Sequence, residues 1–310
     1  MTQAPLRIAS YNMRKAMGTD RKRDPARILR VIQTLAADIV VLQEADMRLG
    51  PRPSALPMDQ VTAQTGLIAV PVPGEVSIGW HGNAVLLRPE AELIEVKHLN
   101  LPGMEPRGAM VVDFDLRDVP LRIIATHLGL MRRSRRAQLS ALIAHLDAQS
   151  KRPTLIAGDM NEWSLNVGLG RLAHHFDIYA PGKSYHARLP LAALDRIAVD
   201  DALHVIDGGV CETDDARRAS DHLPIWLDFA RSTDQESARC QLNYQVRLPA
   251  QPIDNYNTNA TLKPISEVPS KQFPQPHLLC ARLFDRGVFH RPIAPNIHRQ
   301  RQQLLYRLNR

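Results

Sequence analysis

Thr154-Leu155-Ile156-Ala157-Gly158-Asp159-Met160-Asn161 is the stretch around which the rest of the chain is read. Its first half is a short apolar run of the kind a buried strand needs, and its second half switches to glycine, a carboxylate and a carboxamide. Alternate residues of an extended chain point the same way, so Asp159 and Asn161 face one site, and Gly158 lets another backbone come close. A carboxylate can take a proton from water, and a carboxamide can orient that water without competing for the proton. The same pattern also serves as plain strand-to-turn punctuation, so its meaning depends on what other segments bring beside it.

Working outward, residues 6–12 read as a strand ending in Asn12. Asp24-Pro25 then supplies an N-cap and a first-turn proline for a helix whose Ile28, Ile32 and Leu35 share a face. Residues 38–44 form an apolar strand that ends in Glu44, while the proline-rich span 48–73 has no clear period and is expected to be irregular surface chain. Strands are expected at 83–88, 110–116 and 121–127, the last closing on His127. Over 134–149, Leu139, Leu142, Ile143 and Leu146 recur at helical spacing until Pro153 forbids continuation. Two more strands, 193–199 and, after a polar loop, 220–229, carry Asp195 and the pair Asp221-His222. No internal repeat is visible. Many strands, few helices and hairpin-length links predict sheets in two layers flanked by helices rather than a regular βαβ alternation.

The chain has 310 residues and 44% hydrophobic content, enough for a sizeable core. No apolar run approaches the roughly 20 residues needed to span a bilayer, and the first ten residues lack the pattern of a secretory signal. Cys211, Cys240 and Cys280 show neither pairing nor metal-ligand spacing, which predicts reduced thiols and a cytoplasmic location. The net charge of +7 is confined to one end. Residues 231–310 hold 12 basic and 5 acidic side chains, leaving 27 of each in residues 1–230. A neutral main body argues against tight duplex binding, which calls for a basic footprint on the binding domain itself. The same tail is rich in Gln, Asn, Pro and Arg and lacks a period, so it reads as a disordered basic extension able to contact polyanions.

An acid, amide or imidazole therefore stands at or beside a strand end in six places: Asn12, Glu44, His127, Asp159 with Asn161, Asp195, and Asp221 with His222. Ser-Tyr-Asn at 10–12, Leu-Gln-Glu at 42–44, Gly-Asn-Ala at 82–84 and Thr-His-Leu at 126–128 are followed by Gly-Asp-x-Asn at 158–161, Leu-Asp-Arg-Ile at 194–197 and Ser-Asp-His at 220–222. This ordered series resembles the endonuclease/exonuclease/phosphatase superfamily over residues 5–230. The resemblance implies a four-layered α/β sandwich, two mixed β-sheets packed face to face with flanking helices, and a catalytic domain over residues 1–230. It also implies phosphoester hydrolysis assisted by Mg²⁺, with Mn²⁺ as an alternative. Glu44 matches the main metal carboxylate, with Asn12 and Asp221 nearby, and oxygen ligands suit that hard cation. Asp159 matches the residue that aligns or deprotonates the attacking water, and Asn161 the one that holds the water or the phosphate. His127, and His222 oriented by Asp195, match the histidines that neutralise phosphoryl oxygens in the transition state.

The chain departs from some repair endonucleases in reading Asn12-Met13-Arg14, without the acid that would extend the metal site to a second position. It also carries His127 where the abasic-site branch has tyrosine, nearer the deoxyribonuclease-I, sphingomyelinase and inositol-phosphatase side. Further substrate-binding candidates are Asn83, Arg107, Arg132 at the head of an arginine-rich helix start, and His186. Each has a plainer role open to it: a salt bridge for Arg107, a solvated helix face for Arg132, a packed loop for His186. The leading reading is a metal-dependent phosphodiesterase acting by in-line attack of water on nucleic acid, phospholipid or a small phosphodiester. A DNA endonuclease and a nucleic-acid-binding protein on an inactive form of the fold are the alternatives.

Overall fold

The computed structural model describes residues 4–47, 50–74, 76–164 and 168–232, so the expected extension lies outside the described residues apart from its first two positions. The chain runs through β1 (Leu6–Asn12), α1 (Pro25–Thr34), β2 (Ile39–Gln43), α2 (Met58–Thr65), β3 (Ile68–Ala69), β4 (Ala84–Leu87), β5 (Glu92–Leu101) and β6 (Arg107–Leu116). It continues with β7 (Val119–His127), α3 (Arg132–Asp147), β8 (Thr154–Asp159), α4 (Gly170–Ala173), β9 (Asp177–Tyr179), β10 (Asp195–Val199), β11 (Leu203–Val210), α5 (Asp214–Ala219) and β12 (Ile225–Arg231). Two six-stranded sheets result, in the orders β11-β12-β1-β2-β4-β3 and β5-β6-β7-β8-β10-β9.

Each sheet is built on one parallel pair flanked by antiparallel neighbours: β1 with β2 in the first, β7 with β8 in the second. The two crossovers are α1 and α3. Both helices are placed by apolar faces that match the sheet beneath them. Asp24 caps α1, its Oδ1 accepting from Arg27 N–H at 3.0 Å, and Pro25 sits where its missing N–H is harmless. Ile28, Leu29 and Ile32 bury against Ala9, Tyr11, Val40 and Leu42 on the outer face of the first sheet. Full burial of each such side chain contributes about 1.5–3 kcal/mol. Leu139 and Leu142 of α3 do the same against Val111, Ile124 and Ile156 of the second. The inner faces meet in a third cluster containing Ile8, Val41, Val85, Val112, Phe114, Ile123, Leu155, Ile197 and Leu227. Helix, sheet, sheet and helix form the four-layered sandwich that the resemblance implied.

Four expectations need correction. The span 48–73 is not irregular throughout, since it holds α2 and β3. Strand β5 adds to the strands expected, being an edge strand with half of its residues exposed and no clean alternation. The polar loop before Ser220 contains the edge strand β11 and the six-residue helix α5, too short to show a period. The last strand ends at Arg231, and Ser232 N–H still donates to Ala202 O at 2.9 Å, so the folded body passes residue 230.

Candidate active site

The parallel pairs deliver their C-terminal ends to one edge of the sandwich, the place where open α/β sheets present ligand-binding groups. Asn12 closes β1, and Glu44 directly follows β2. His127 and Asp159 are the last residues of β7 and β8 and stand in register with each other, while Asp195, first residue of the antiparallel β10, pairs with Asp159 from the other side. Gly158 makes this packing possible: its φ is 154°, and a Cβ there would lie 1.8 Å from Thr126 O.

Side-chain contacts at this edge join the sheets. Asn12 Nδ2 donates to Asp159 Oδ2 at 3.0 Å, and His222 Nδ1 lies 2.8 Å from Asp195 Oδ2. The Nε2 atoms of His127 and His222 stand 3.4 and 3.6 Å from Asp159 Oδ2, and Asn161 N–H donates to Asp159 Oδ1 at 2.9 Å. One buried carboxylate is thus the focus of polar groups from four positions in the chain. Asn161 takes a positive φ of 49° and anchors its Nδ2 on Leu128 O at 2.8 Å. Behind His222, Asp195 is fully buried and also accepts a short hydrogen bond from Ser184 Oγ. Burial works against a proton on His222, but Asp195 and Asp159 outweigh it and its pKa is pushed up to about 10. The ring is an imidazolium at neutral pH, a cationic donor beside Asp159.

Glu44 and Asp221 are in a different setting. The turn Arg14–Ala16 has φ values of 47°, 54° and 58° at Arg14, Lys15 and Ala16, and Lys15 N–H donates to Glu44 O at 3.0 Å. That turn sends Lys15 Nζ to Glu44 Oε2 in a short ion pair and Arg14 Nε to Asp221 Oδ2 at 3.3 Å. Arg14 N–H also donates to Asn12 Oδ1 at 3.2 Å.

The remaining candidates divide. Asn83 donates to Gly108 O and Trp80 O, while its buried Oδ1 has no partner. Arg107 is buried and held by Glu105 at 2.8 Å, the structural salt bridge open to it. Within the arginine run, Arg135 turns inward to Glu162 at 2.8 Å, whereas Arg132 lines a cavity on the surface. His186 receives Arg188 N–H at 3.4 Å and packs on Tyr185, and it is the Tyr185 ring, 4.9 Å from that of His222, that reaches the site. Ser184, Lys15 and the pairing of Arg14 were not anticipated. Their loops carry no period, and three successive non-glycine residues at positive φ leave no compositional signal. Arg196, from the Leu-Asp-Arg-Ile motif, is fully buried and donates to Asp195 O and Glu162 O, its pKa lowered to about 10 by burial.

The model of the Endonuclease/Exonuclease/phosphatase family matches residues 9–222, from β1 to the Ser-Asp-His motif. The chain belongs to this family and is a phosphoester hydrolase. It is 28% identical over 223 residues to YbhP of Escherichia coli K12, covering 64% of this chain and 87% of that protein. A solved endonuclease/exonuclease/phosphatase from Beutenbergia cavernae superposes with a TM-score of 0.57 at 22% identity, over 74% of this chain and 72% of the other. The human Nocturnin catalytic domain with bound sulfate superposes with a TM-score of 0.59 at 21% identity, over 74% and 96%. At such identities the two structures bear on the fold.

Proposed function

We propose that the chain is a divalent-metal-dependent phosphodiesterase in which water attacks the phosphorus in line. The convergence of Asn12, Asn161, His127 and His222 on Asp159 carries the reading. It supports Asp159 as the group that aligns the attacking water and receives its proton. His127 and the imidazolium of His222 donate to the phosphoryl oxygens as charge develops there, and Asp195 with Ser184 fixes the ring that does so. Asn161, itself anchored, orients the water or the phosphate, and the unpartnered Oδ1 of Asn83 faces a polar requirement of the same kind.

Two groups are candidates for the cation. Ligand atoms of Asp159, Asp195 and His222 lie within 4.8 Å of one another. In that group, however, His222 Nδ1 is committed to Asp195 Oδ2, and coordination through Nε2 would require the ring to give up the proton that Asp195 and Asp159 hold on it. Glu44, with Asn12 and Asp221, offers oxygen donors, and its carboxylate is already met by a positive charge, that of Lys15. This set fits Mg²⁺ or Mn²⁺. Bound there, the cation would supply Lewis-acid stabilisation of charge on the phosphoryl group.

The catalytic domain is taken to end with β12, leaving the basic extension outside it, and a chain stopped after Ser232 is expected to hydrolyse substrate as well as the full chain. Unpaired cysteine usage supports a cytoplasmic setting, and no described helix is long and apolar enough to cross a membrane. The test is purified full chain with Mg²⁺ or Mn²⁺ on an aryl phosphodiester, the matching monoester and plasmid DNA. Metal-dependent diester cleavage that Asp159→Asn abolishes is expected. Cleavage that survives chelation, or is confined to the monoester, contradicts the proposal, and preference for plasmid shifts it to a DNA endonuclease.

A further inference from the structure

Met104, Leu130, Met131, Trp163, Leu189 and Leu191 are each more than half exposed. All six lie on loops at the catalytic end of the second sheet. Met104 precedes β6, Leu130 and Met131 follow His127, Trp163 follows Asp159, and the two leucines precede Asp195. Two contacts hold parts of this rim together: Leu130 N–H donates to Glu105 Oε1 at 2.9 Å, beside Met104, and the Trp163 ring stands 6.0 Å from that of Tyr185.

Where Leu130 and Met131 lead into α3, a cavity of about 590 Å³ is lined by Arg132, Arg133, Arg136 and Arg171 with Ala137 and Ser140. None of the four guanidiniums is in an ion pair among the described residues, in contrast to Arg135 one step away on Glu162. The first turn of α3 contains no acid to offset them. Gathering like charges at the positive end of a helix is unfavourable unless an anion is present.

We propose that this rim is a docking surface for an anionic phospholipid bilayer. Leu130 and Met131 enter the acyl boundary, the arginine cavity receives a headgroup phosphate, and the catalytic edge is presented to phosphodiesters in the membrane plane. The proposal rests on the phosphodiesterase reading for its substrate class. An apolar rim beside a cationic pocket is the pairing that interfacial binding uses. A nucleic-acid strand fits less well, because five of the six exposed side chains are aliphatic or thioether groups that cannot stack bases.

Vesicle flotation of the full chain decides it, using phosphatidylcholine alone and phosphatidylcholine mixed with phosphatidylglycerol. The basic extension is common to every variant, so differences among variants report the rim. Wild type should partition onto the mixed vesicles. Leu130→Ser/Met131→Ser should weaken partitioning about tenfold. Arg133→Gln/Arg136→Gln/Arg171→Gln should weaken it about fivefold per arginine, with melting temperatures within a few degrees of wild type. Folded variants of both kinds that float like wild type overturn the proposal. So does an arginine variant that loses affinity for a single-stranded oligonucleotide while floating unchanged. Hydrolysis of a soluble aryl phosphodiester by the wild type, measured in parallel, keeps the two claims apart. Hydrolysis without flotation overturns docking alone, whereas flotation that the rim variants lose, without hydrolysis, upholds docking and removes the phosphodiesterase reading.

Discussion

The two sheets bring carboxylates of different character to the same edge. Glu44 and Asp221, from the first sheet, keep 21% and 20% of their side chains exposed and face Lys15 and Arg14. Asp159 and Asp195, on the second, are 3% and 0% exposed and are held by amides, imidazoles and a hydroxyl. A partly exposed carboxylate paired with a long flexible cation can exchange that partner for another cation at smaller loss than a buried one, since ion pairs open to water are worth little. A buried carboxylate cannot release its donors without leaving an unsatisfied charge, so it keeps its geometry and that of the groups around it. On the proposed reading, cation exchange falls to the first sheet and fixed positioning to the second.

The contrast is most exposed to attack at Asp159. Asp159→Asn is expected to lower turnover of an aryl phosphodiester by about 10²–10⁴-fold, with a folded protein of lowered melting temperature, because the amide oxygen replaces only one of the two accepting oxygens and the charge beside His222 is lost. Retained turnover would mean that the focus of the buried donors is structural. Next in size is the coupling of Asp195 and His222. Asp195→Ala and His222→Ala should each reduce turnover, and the double variant should be little worse than His222→Ala, since an aspartate that only orients a ring has nothing to do once the ring is gone. Losses that multiply in the double variant would show Asp195 acting on substrate or metal directly. The smallest effect is expected from Lys15→Met. Removing the cation that rests on Glu44 should tighten Mg²⁺ binding a few-fold by calorimetry, and a weakened affinity would show that Lys15 supports the metal set instead of competing for it.

Much of this arrangement was legible before any coordinates. Strand ends could be read because buried strands are apolar runs and the residues that break them, Asn12, Glu44, His127 and Asp159, are polar. The duplicated scheme of one parallel pair per sheet was not visible as a repeat, because it resides in pairing and crossover and not in matched side chains. Edge strands hid themselves, β5 by exposure and β11 by ending in Gly208-Gly209-Val210. Within the site, Asp195 and His222 are separated by 27 positions, yet their strand-end places already pointed to one edge. Ser184 did not stand out, because a loop serine has no period to betray it. Lys15 did not either, because the left-handed turn that aims it is specified by its surroundings and not by its own residue types.

Metal titration of three proteins tests the division between the sheets most directly: wild type, Glu44→Gln and Asp159→Asn, each titrated with Mn²⁺ by calorimetry at one pH. The account predicts that Glu44→Gln weakens binding by about tenfold or more, as loss of a charged ligand should, and that Asp159→Asn binds as wild type does. Unchanged affinity in Glu44→Gln together with lost affinity in Asp159→Asn would place the cation among Asp159, Asp195 and His222 and contradict it.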